Sequence, residues 1–477
     1  MMGLRLIQRF GRLLSIFAGL YALVAMLCFG LAEFRSALIF LSIAGLSGFL
    51  AFISIISSIA EPRSETNIDA LMFLILFWMI GPVLTSIPYL FILPDMTVAS
   101  LLFEGVGALT TSGASGFAPS DLPNALHIWR GLVQFFGGIV VTTFAIVILA
   151  TLNLTGTGVH RSLLFTYQHQ DLYNRVISIG KIVCFIYILF AGLAFIVLMA
   201  TGASEVQAFS LALGGISTGG LSPIDGPLAQ IISPFGAFIF AILCFFGVLN
   251  FAVIWDVARL RRGRAIIRLF TNVEHRALFV MAGIIILLSM LYFRGAHIID
   301  SVIEALFFIS STGYDYNIIG VEMVPSIILI AFALVGGSAL STAGGLKIIR
   351  VLLLFRHLQT DLSRLSHPSR VYPVKFRGQV IRDRAFLSIW MYFFGYTCVF
   401  GFGIVAFAAS GIGFETSVTL SAGMLSNMAP LLPYTFSDFS LISLTDTQKM
   451  IGAALMFVGR VEVLALFALM SAGPWKN

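Results

Sequence analysis

Charged residues are scarce in this chain of 477 residues. Asp, Glu, Lys and Arg together make up 10% of it, whereas 59% of the residues are hydrophobic and 45 are Phe. Soluble domains carry about 25% charged residues, and a helix that crosses a bilayer needs roughly 20 apolar residues in succession. The composition therefore excludes an ordinary soluble domain and predicts a polytopic membrane protein.

Cysteines and clustered metal ligands are equally sparse. The four cysteines, Cys28, Cys184, Cys244 and Cys398, all fall in hydrophobic runs without metal-ligand spacing, which favours buried thiols over a disulfide framework or redox site. The seven histidines form no H-x-x-H pattern, and no P-loop or dinucleotide fingerprint is present. These absences argue against an enzyme and against an organic cofactor bound by this chain.

Long hydrophobic runs, by contrast, are plentiful. The first run follows Arg5, Arg9 and Arg12 and continues to Phe34 without a small-residue cleavage site, so we interpret it as a retained helix rather than a signal peptide. Hydropathy predicts ten spans, at about 13–34, 36–60, 68–93, 125–152, 175–201, 231–258, 275–293, 323–356, 385–410 and 447–473.

Four half-apolar stretches interrupt this series, and each ends in a turn of small residues. The turns are 110–114 (TTSGA), 217–221 (STGGL), 311–314 (STGY) and 426–430 (SNMAP). The repeated unit is span, half-helix, turn, span. The predicted fold is an all-α membrane protein with four such repeats around one pore, divided as 1–66 (N-terminal helix pair), 67–160, 161–272, 273–384 and 385–477.

The distribution of charge predicts the orientation. Basic residues near the N-terminus and in 160–175, 259–268 and 347–384 fall on alternate sides of successive spans, and short basic loops stay cytoplasmic. The N-terminus is therefore expected inside the cell and the four turns outside. The net charge of +6 is interpreted as attraction to anionic membrane lipids, and not as nucleic-acid binding. The opposite face carries Asp95, Asp121, Asp225, Asp315, Glu322, Asp438 and Asp446.

The four turns suit a bare cation. Inside a membrane a cation must exchange its water for other oxygens, and backbone carbonyls freed by turns can supply them around a water-filled cavity. Each half-helix also points the negative end of its dipole toward the turn that follows. Tight helix packing would explain one glycine-rich turn, but four at equivalent places favour an ion filter. The half-helix carboxylates Glu104, Glu205, Glu304 and Glu415 are expected to brace the structure more than to bind ions.

Several motifs together resemble the Trk/Ktr/HKT superfamily of potassium transporters, and most closely the TrkH-type membrane subunit of bacterial Trk systems. The resemblance covers nearly the whole chain. It rests on Phe103-Glu104-Gly105, on Trp129-Arg130 with Gln134, on Leu249-Asn250-Phe251, on 336–347 (GGSALSTAGGLK), on His367-Pro368 with Tyr372-Pro373-Val374, and on Gly459-Arg460-Val461-Glu462.

This resemblance implies a potassium filter, with K+ as the transported ion. The fourth loop departs from the family pattern Asn-x-Gly-Pro, because Ala429 stands where the family has glycine. The methyl group is harmless if the carbonyl still points inward, or else it loosens the preference for potassium over sodium. The filter residues would be Thr111, Ser112, Gly113, Thr218, Gly219, Gly220, Ser311, Thr312, Gly313, Asn427, Met428 and Ala429.

The resemblance also implies an intramembrane gate and an electrostatic barrier. The gate would be the break formed by Ser341, Thr342, Ala343, Gly344 and Gly345, for which a helix-packing surface is the alternative. Arg460 would form the barrier in the final helix, with snorkelling as the alternative, and Lys347 would either assist it or anchor its helix at the inner interface.

The function expected from all of this is potassium uptake across the bacterial inner membrane. The family implies a homodimer and a soluble nucleotide-binding regulatory subunit, TrkA-like, docked on the basic loops 259–276 and 347–384. Two alternatives stay open: a sodium-permeable or sodium- or proton-coupled relative, and a non-conducting sensor or accessory subunit.

Overall fold

The structure is a computed structural model that describes residues 2–57, 67–151, 172–260, 263–292, 298–317, 321–322, 324–366, 375–376, 379–380, 383–436 and 439–461. The predicted motifs at 367–368 and 372–374, Glu462 and the end of the tenth predicted span lie outside these residues. The described chain is α-helical apart from one small hairpin and short 3-10 turns, which confirms the predicted fold class.

The N-terminal pair is α1 (Met2–Gly30) and α2 (Phe34–Ile56). The first two repeats contain α3 (Asn67–Ile92), α4 (Val98–Leu109), α5 (Asn124–Thr151), α6 (Leu172–Thr201), α7 (Glu205–Ile216), α8 (Pro234–Val248), α9 (Phe251–Leu260) and α10 (Gly263–Thr271). The last two contain α11 (Val273–Tyr292), α12 (Ile298–Ile309), α13 (Ser326–Val335), α14 (Ile348–Ser366), α15 (Asp383–Ala409), α16 (Phe414–Leu425) and α17 (Asp446–Val461). Between α14 and α15, β1 (Lys375–Phe376) pairs antiparallel with β2 (Gln379–Val380).

Six helices of the described chain are long and apolar enough to cross a membrane, and counting the bent pair α8 and α9 as one span makes seven. The other three predicted spans fall on α3, on α13 with α14, and on α17. Helix α13 has only ten residues because the chain unwinds after Val335. Helix α17 is described only as far as Val461, over 16 residues that include Asp446, Lys449 and Arg460. The chain is an integral membrane protein.

The predicted span at 231–258 is two helices instead of one, and they meet at 107°. Asn250 accounts for the break: its backbone N–H donates to His275 Nε2 (2.9 Å), and its side-chain oxygen accepts from the N–H of Ala252 (3.1 Å). The N–H of Phe251 donates to the carbonyl of Leu340 (3.0 Å). These bonds replace helical ones, so the chain turns toward the segment that follows α13.

The N-terminal pair packs on the first repeat through aromatic rings. Tyr21 stacks on Trp129 of α5 with ring centroids 4.9 Å apart, and Phe17 meets Phe136 of the same helix edge-on at 5.8 Å. Trp129 is fully buried, and its indole N–H donates to the carbonyl of Thr85 in α3 (2.9 Å). This packing holds α5 in place behind the first half-helix.

Candidate ion pathway

The four half-helices α4, α7, α12 and α16 have twelve residues each. Twelve residues span about 18 Å, which is too short to cross a hydrocarbon layer of about 30 Å. Each ends at a serine or threonine whose hydroxyl donates to a carbonyl one turn back. These end residues are Thr110 (2.7 Å), Ser217 (2.8 Å), Ser310 (2.9 Å) and Ser426 (2.6 Å). The loops that follow are called loop 1 (110–114), loop 2 (217–221), loop 3 (310–314) and loop 4 (426–430).

The residue after each helix end adopts the left-handed conformation. These residues are Thr111 (φ 51°), Thr218 (57°), Ser311 (63°) and Asn427 (52°). None is glycine, although the left-handed region costs other residues about 1–2 kcal/mol. Sequence reasoning missed this shared geometry because it reserved unusual backbone angles for the glycines. The available signal was a small polar residue at the same place in all four repeats.

Two residues further on, three of the loops have a second left-handed residue, a glycine in each case. Gly113, Gly220 and Gly313 have φ values of 73°, 76° and 56°. The corresponding Ala429 begins a 3-10 turn, Ala429–Leu431. Loop 4 therefore has a different backbone path from the other three.

The four loops contact one another in sequence and close into a ring. A methyl group on Gly113 would lie 2.7 Å from the carbonyl oxygen of Gly219, and one on Gly220 would strike the carbonyl oxygen of Thr312. A methyl group on Gly313 would strike Pro430 of loop 4. The N–H of Ala429 closes the ring by donating to the carbonyl of Ser112 (2.8 Å). Loops 1 and 3 thus face each other, as do loops 2 and 4.

A buried carboxylate supports the chain that leaves loop 1. Glu104 pairs with Arg130 at 2.5 Å, and the two side chains are 0% and 1% exposed. The other Glu104 oxygen accepts from the Ser115 hydroxyl (3.0 Å) and the Gly116 N–H (3.1 Å). Glu104 is therefore a brace of the loop and does not face the ring.

Glu304 has the equivalent role in the third repeat. It accepts from the backbone N–H groups of Tyr316 (2.6 Å) and Asn317 (2.7 Å), and from the hydroxyl of Tyr434 (2.8 Å). Glu205 and Glu415, by contrast, are exposed in the first turns of their helices. The bracing interpretation therefore fits two of the four half-helix carboxylates.

The chain between α13 and α14, residues 336–347, lies against the ring on the side of the helix ends. The Thr342 hydroxyl accepts from Thr218 of loop 2 (2.9 Å) and donates to the carbonyl of Gly247 (3.2 Å). A methyl group on Gly344 would strike the carbonyl oxygen of Ser426 in loop 4. The predicted break at 341–345 is thus buried directly beside two of the four loops.

Lys347 points back into this same segment. It is 7% exposed, it has a left-handed φ of 72°, and its ammonium group donates to the carbonyls of Ser341 (3.1 Å) and Ala343. The side chain therefore ties the two ends of the 341–347 segment together.

Arg460 of α17 joins loop 1 to residues 336–347. Its guanidinium donates to the carbonyl of Thr110, to the hydroxyl and carbonyl of Thr111, and to the carbonyl of Thr342. The residue is 9% exposed, and none of the ion pairs between described residues includes it. A positive charge held by backbone oxygens therefore lies where the ring meets the segment 336–347.

A family model described as TrkH, cation transport protein, matches residues 48–473, which is most of the chain. The chain belongs to the TrkH family of cation transport proteins. This membership confirms the resemblance that the motifs predicted.

Named Trk proteins are similar to this chain over most of its length. The Trk system potassium uptake protein TrkH of Salmonella typhimurium is 27% identical over 421 residues, with 86% of each chain covered. The Trk system potassium uptake protein TrkG of Escherichia coli is 25% identical over 420 residues, again with 86% of each covered. The crystal structure of the potassium transporter TrkH from Vibrio parahaemolyticus matches the whole of both chains with a TM-score of 0.87 at 23% identity, which supports the fold.

Proposed function

We propose that this TrkH-family protein takes up potassium across the bacterial inner membrane, through the ring formed by loops 1 to 4. The family membership supports the ion, since two curated relatives are named potassium uptake proteins. The observation that carries the proposal is the ring itself, in which four half-helices end at contiguous loops with left-handed residues at matching places.

The proposed filter residues are those expected from the sequence. They are 111–113 in loop 1, 218–220 in loop 2, 311–313 in loop 3 and 427–429 in loop 4. The half-helix ends direct partial negative charge toward the ring, and this favours a cation without any ionised side chain. Buried loop carbonyls can replace the water around potassium. The protein thus acts as a transporter and not as an enzyme in this proposal.

The break formed by residues 341–345, within the segment 336–347, serves as the gate, and Arg460 serves as the barrier beside it. The gate interpretation is supported by the contacts of this segment with loops 2 and 4. Arg460 contributes a positive charge next to the path, and two unit charges 4 Å apart interact by about 4 kcal/mol at an effective dielectric constant of 20. Lys347 stabilises the conformation of residues 341–347 through its two hydrogen bonds, and it adds to the positive charge near Arg460.

The same proposal includes the orientation and the partners. The N-terminus is cytoplasmic, the basic segments 259–276 and 347–384 face the cytoplasm, and a nucleotide-binding regulatory subunit docks on them. The functional unit is a homodimer. The five-part division at residues 66, 160, 272 and 384 describes the helix pair and the four pore repeats.

Growth of a potassium-uptake-deficient bacterium at limiting potassium is the first test, carried out with and without the regulatory subunit. Rescue, followed by rubidium uptake that potassium inhibits more strongly than sodium does, is the expected result. Well-expressed protein that takes up no cation even with its partner would contradict the proposal and favour a sensor or accessory subunit.

Sodium permeation is the second candidate function, and Ala429 is the observation that favours it. We expect Ala429→Gly to leave transport intact and to increase the preference for potassium, because glycine can adopt the left-handed angles that Gly113, Gly220 and Gly313 adopt. The measurement is rubidium uptake in competition with sodium. Unchanged or reduced discrimination in the variant would show that Ala429 does not set selectivity.

The gate proposal gives a second expected result. A methyl group on Gly344 would strike the carbonyl of Ser426, so Gly344→Ala should displace the segment from loop 4 and raise rubidium uptake several-fold. Gly283→Ala is the matched control, because nothing lies within 4 Å of a methyl group there. If Gly344→Ala failed to fold while Gly283→Ala folded normally, a role of Gly344 in helix packing would be favoured instead.

A further inference from the structure

Pro430 of loop 4 lies where all four loops meet. Its Cγ atom is 3.0 Å from the position that a methyl group would take on Gly113, 3.3 Å from that on Gly220 and 3.1 Å from that on Gly313. These three glycines belong to three different loops. Loop 2 lies opposite loop 4 in the ring, so a side chain of loop 4 that reaches Gly220 must extend across the central axis.

The backbone of loop 4 explains this position. Ala429 does not take the left-handed conformation of its glycine counterparts, and such a conformation costs a residue with a side chain about 1–2 kcal/mol. The chain instead makes the 3-10 turn Ala429–Leu431, and the fixed φ of proline suits the first turn of a helix. Leu431 and Leu432 are 0% and 2% exposed, so buried apolar side chains hold the turn in place.

The same turn removes an oxygen from the ring. The carbonyl of Ser112 accepts the N–H of Ala429, and loop 4 places an apolar proline ring at the level of the three glycines. A pyrrolidine ring offers a cation no lone pair. The described arrangement therefore closes the ring at the glycine level, whereas residues 336–347 and Arg460 lie at the level of the helix ends.

We propose that Pro430 is a second gate of the ion pathway, in series with residues 336–347 and on the opposite side of the ring. This inference rests on the proposed cation transport. An alkali cation passes only when the 429–431 turn withdraws, which frees the Ser112 carbonyl and removes the proline ring from the axis. Loop 4 then regulates access to the filter from the glycine side.

Pro430→Ala tests the gate directly, because alanine lacks the Cγ atom that approaches all three glycines. We expect rubidium uptake to rise several-fold at equal protein abundance, with weaker discrimination against sodium. Pro433→Ala is the matched control: Pro433 lies three residues further along the chain, outside loop 4, and is exposed, so uptake should not change. Equal uptake by Pro430→Ala and the unmodified protein would overturn the gate.

A crystal structure locates residue 430 without reference to transport. Anomalous diffraction from crystals grown in rubidium should show the Pro430 ring on the axis and no rubidium peak beside Gly113, Gly220 and Gly313. Crystals of Pro430→Ala should show a rubidium peak there. A rubidium peak at the glycine level of the unmodified protein, beside a 429–431 turn that has not moved, would overturn the position across the axis.

The two tests separate this inference from the proposed function. If the crystal shows the Pro430 ring on the axis but no variant takes up any cation, the proposal of potassium uptake is wrong and Pro430 only closes the ring. If the unmodified protein takes up potassium, rubidium binds beside an unmoved 429–431 turn and Pro430→Ala behaves identically, the uptake stands and the second gate is wrong.

Discussion

Arg460→Ala is expected to raise rubidium uptake about tenfold in cells without a regulatory subunit, which corresponds to a barrier about 1.4 kcal/mol lower. Two effects act together. The substitution removes a buried positive charge next to the ion path, and it removes the hydrogen bonds that connect Thr110 and Thr111 to Thr342. Without that connection, residues 336–347 are free to move away from the ring.

Arg356→Ala is the control for the loss of one arginine away from the ring, because Arg356 lies on α14 and is exposed. Its uptake should match that of the unmodified protein. Uptake by Arg460→Lys should fall between that of Arg460→Ala and that of the unmodified protein. Lysine keeps the charge, but it cannot reach both segments with a planar fork of donors. Uptake in Arg460→Ala that stays at the original level, in protein that elutes as a single species, would show that Arg460 only supports packing.

Much of the fold followed from hydropathy because the bilayer imposes helix length. The half-helices could be predicted since they are too short to span and each ends in small residues. The break at Asn250 could not, because its cause is a set of hydrogen bonds to His275 and Leu340, which are distant in sequence. A hydropathy window cannot register a helix that is broken by tertiary contacts.

The residues of the candidate site were predicted from motifs, but the hydrogen bonds and contacts between them were not. Sequence alone could place Arg460 deep in a helix, but it could not show that the guanidinium reaches Thr342, which is 118 positions away. Loop 4 shows the same limit. The replacement of glycine by Ala429 was evident as a departure, whereas the turn that carries Pro430 across the ring depends on how three other loops are placed.

The largest effect on stability is expected at Glu104. Glu104→Ala leaves Arg130, which is 1% exposed, without its carboxylate and removes the acceptor of Ser115 and Gly116. Loss of one partner from a buried ion pair costs about 3–5 kcal/mol, so the thermal midpoint of purified protein should fall and the protein should lose cation selectivity. Glu304→Ala should cost less, about 1–3 kcal/mol, because its described partners are neutral donors.

Two further variants test whether the unpaired charge of Arg130 causes the loss of stability expected in Glu104→Ala. Glu205→Ala should change the free energy of unfolding by no more than about 0.5 kcal/mol, since this carboxylate is exposed on the equivalent half-helix α7. The double variant Glu104→Gln with Arg130→Met should recover much of the lost stability, because it removes both charges and keeps similar volumes. If the double variant were as unstable as Glu104→Ala, the loop contacts of Glu104 and not its pairing with Arg130 would account for the effect.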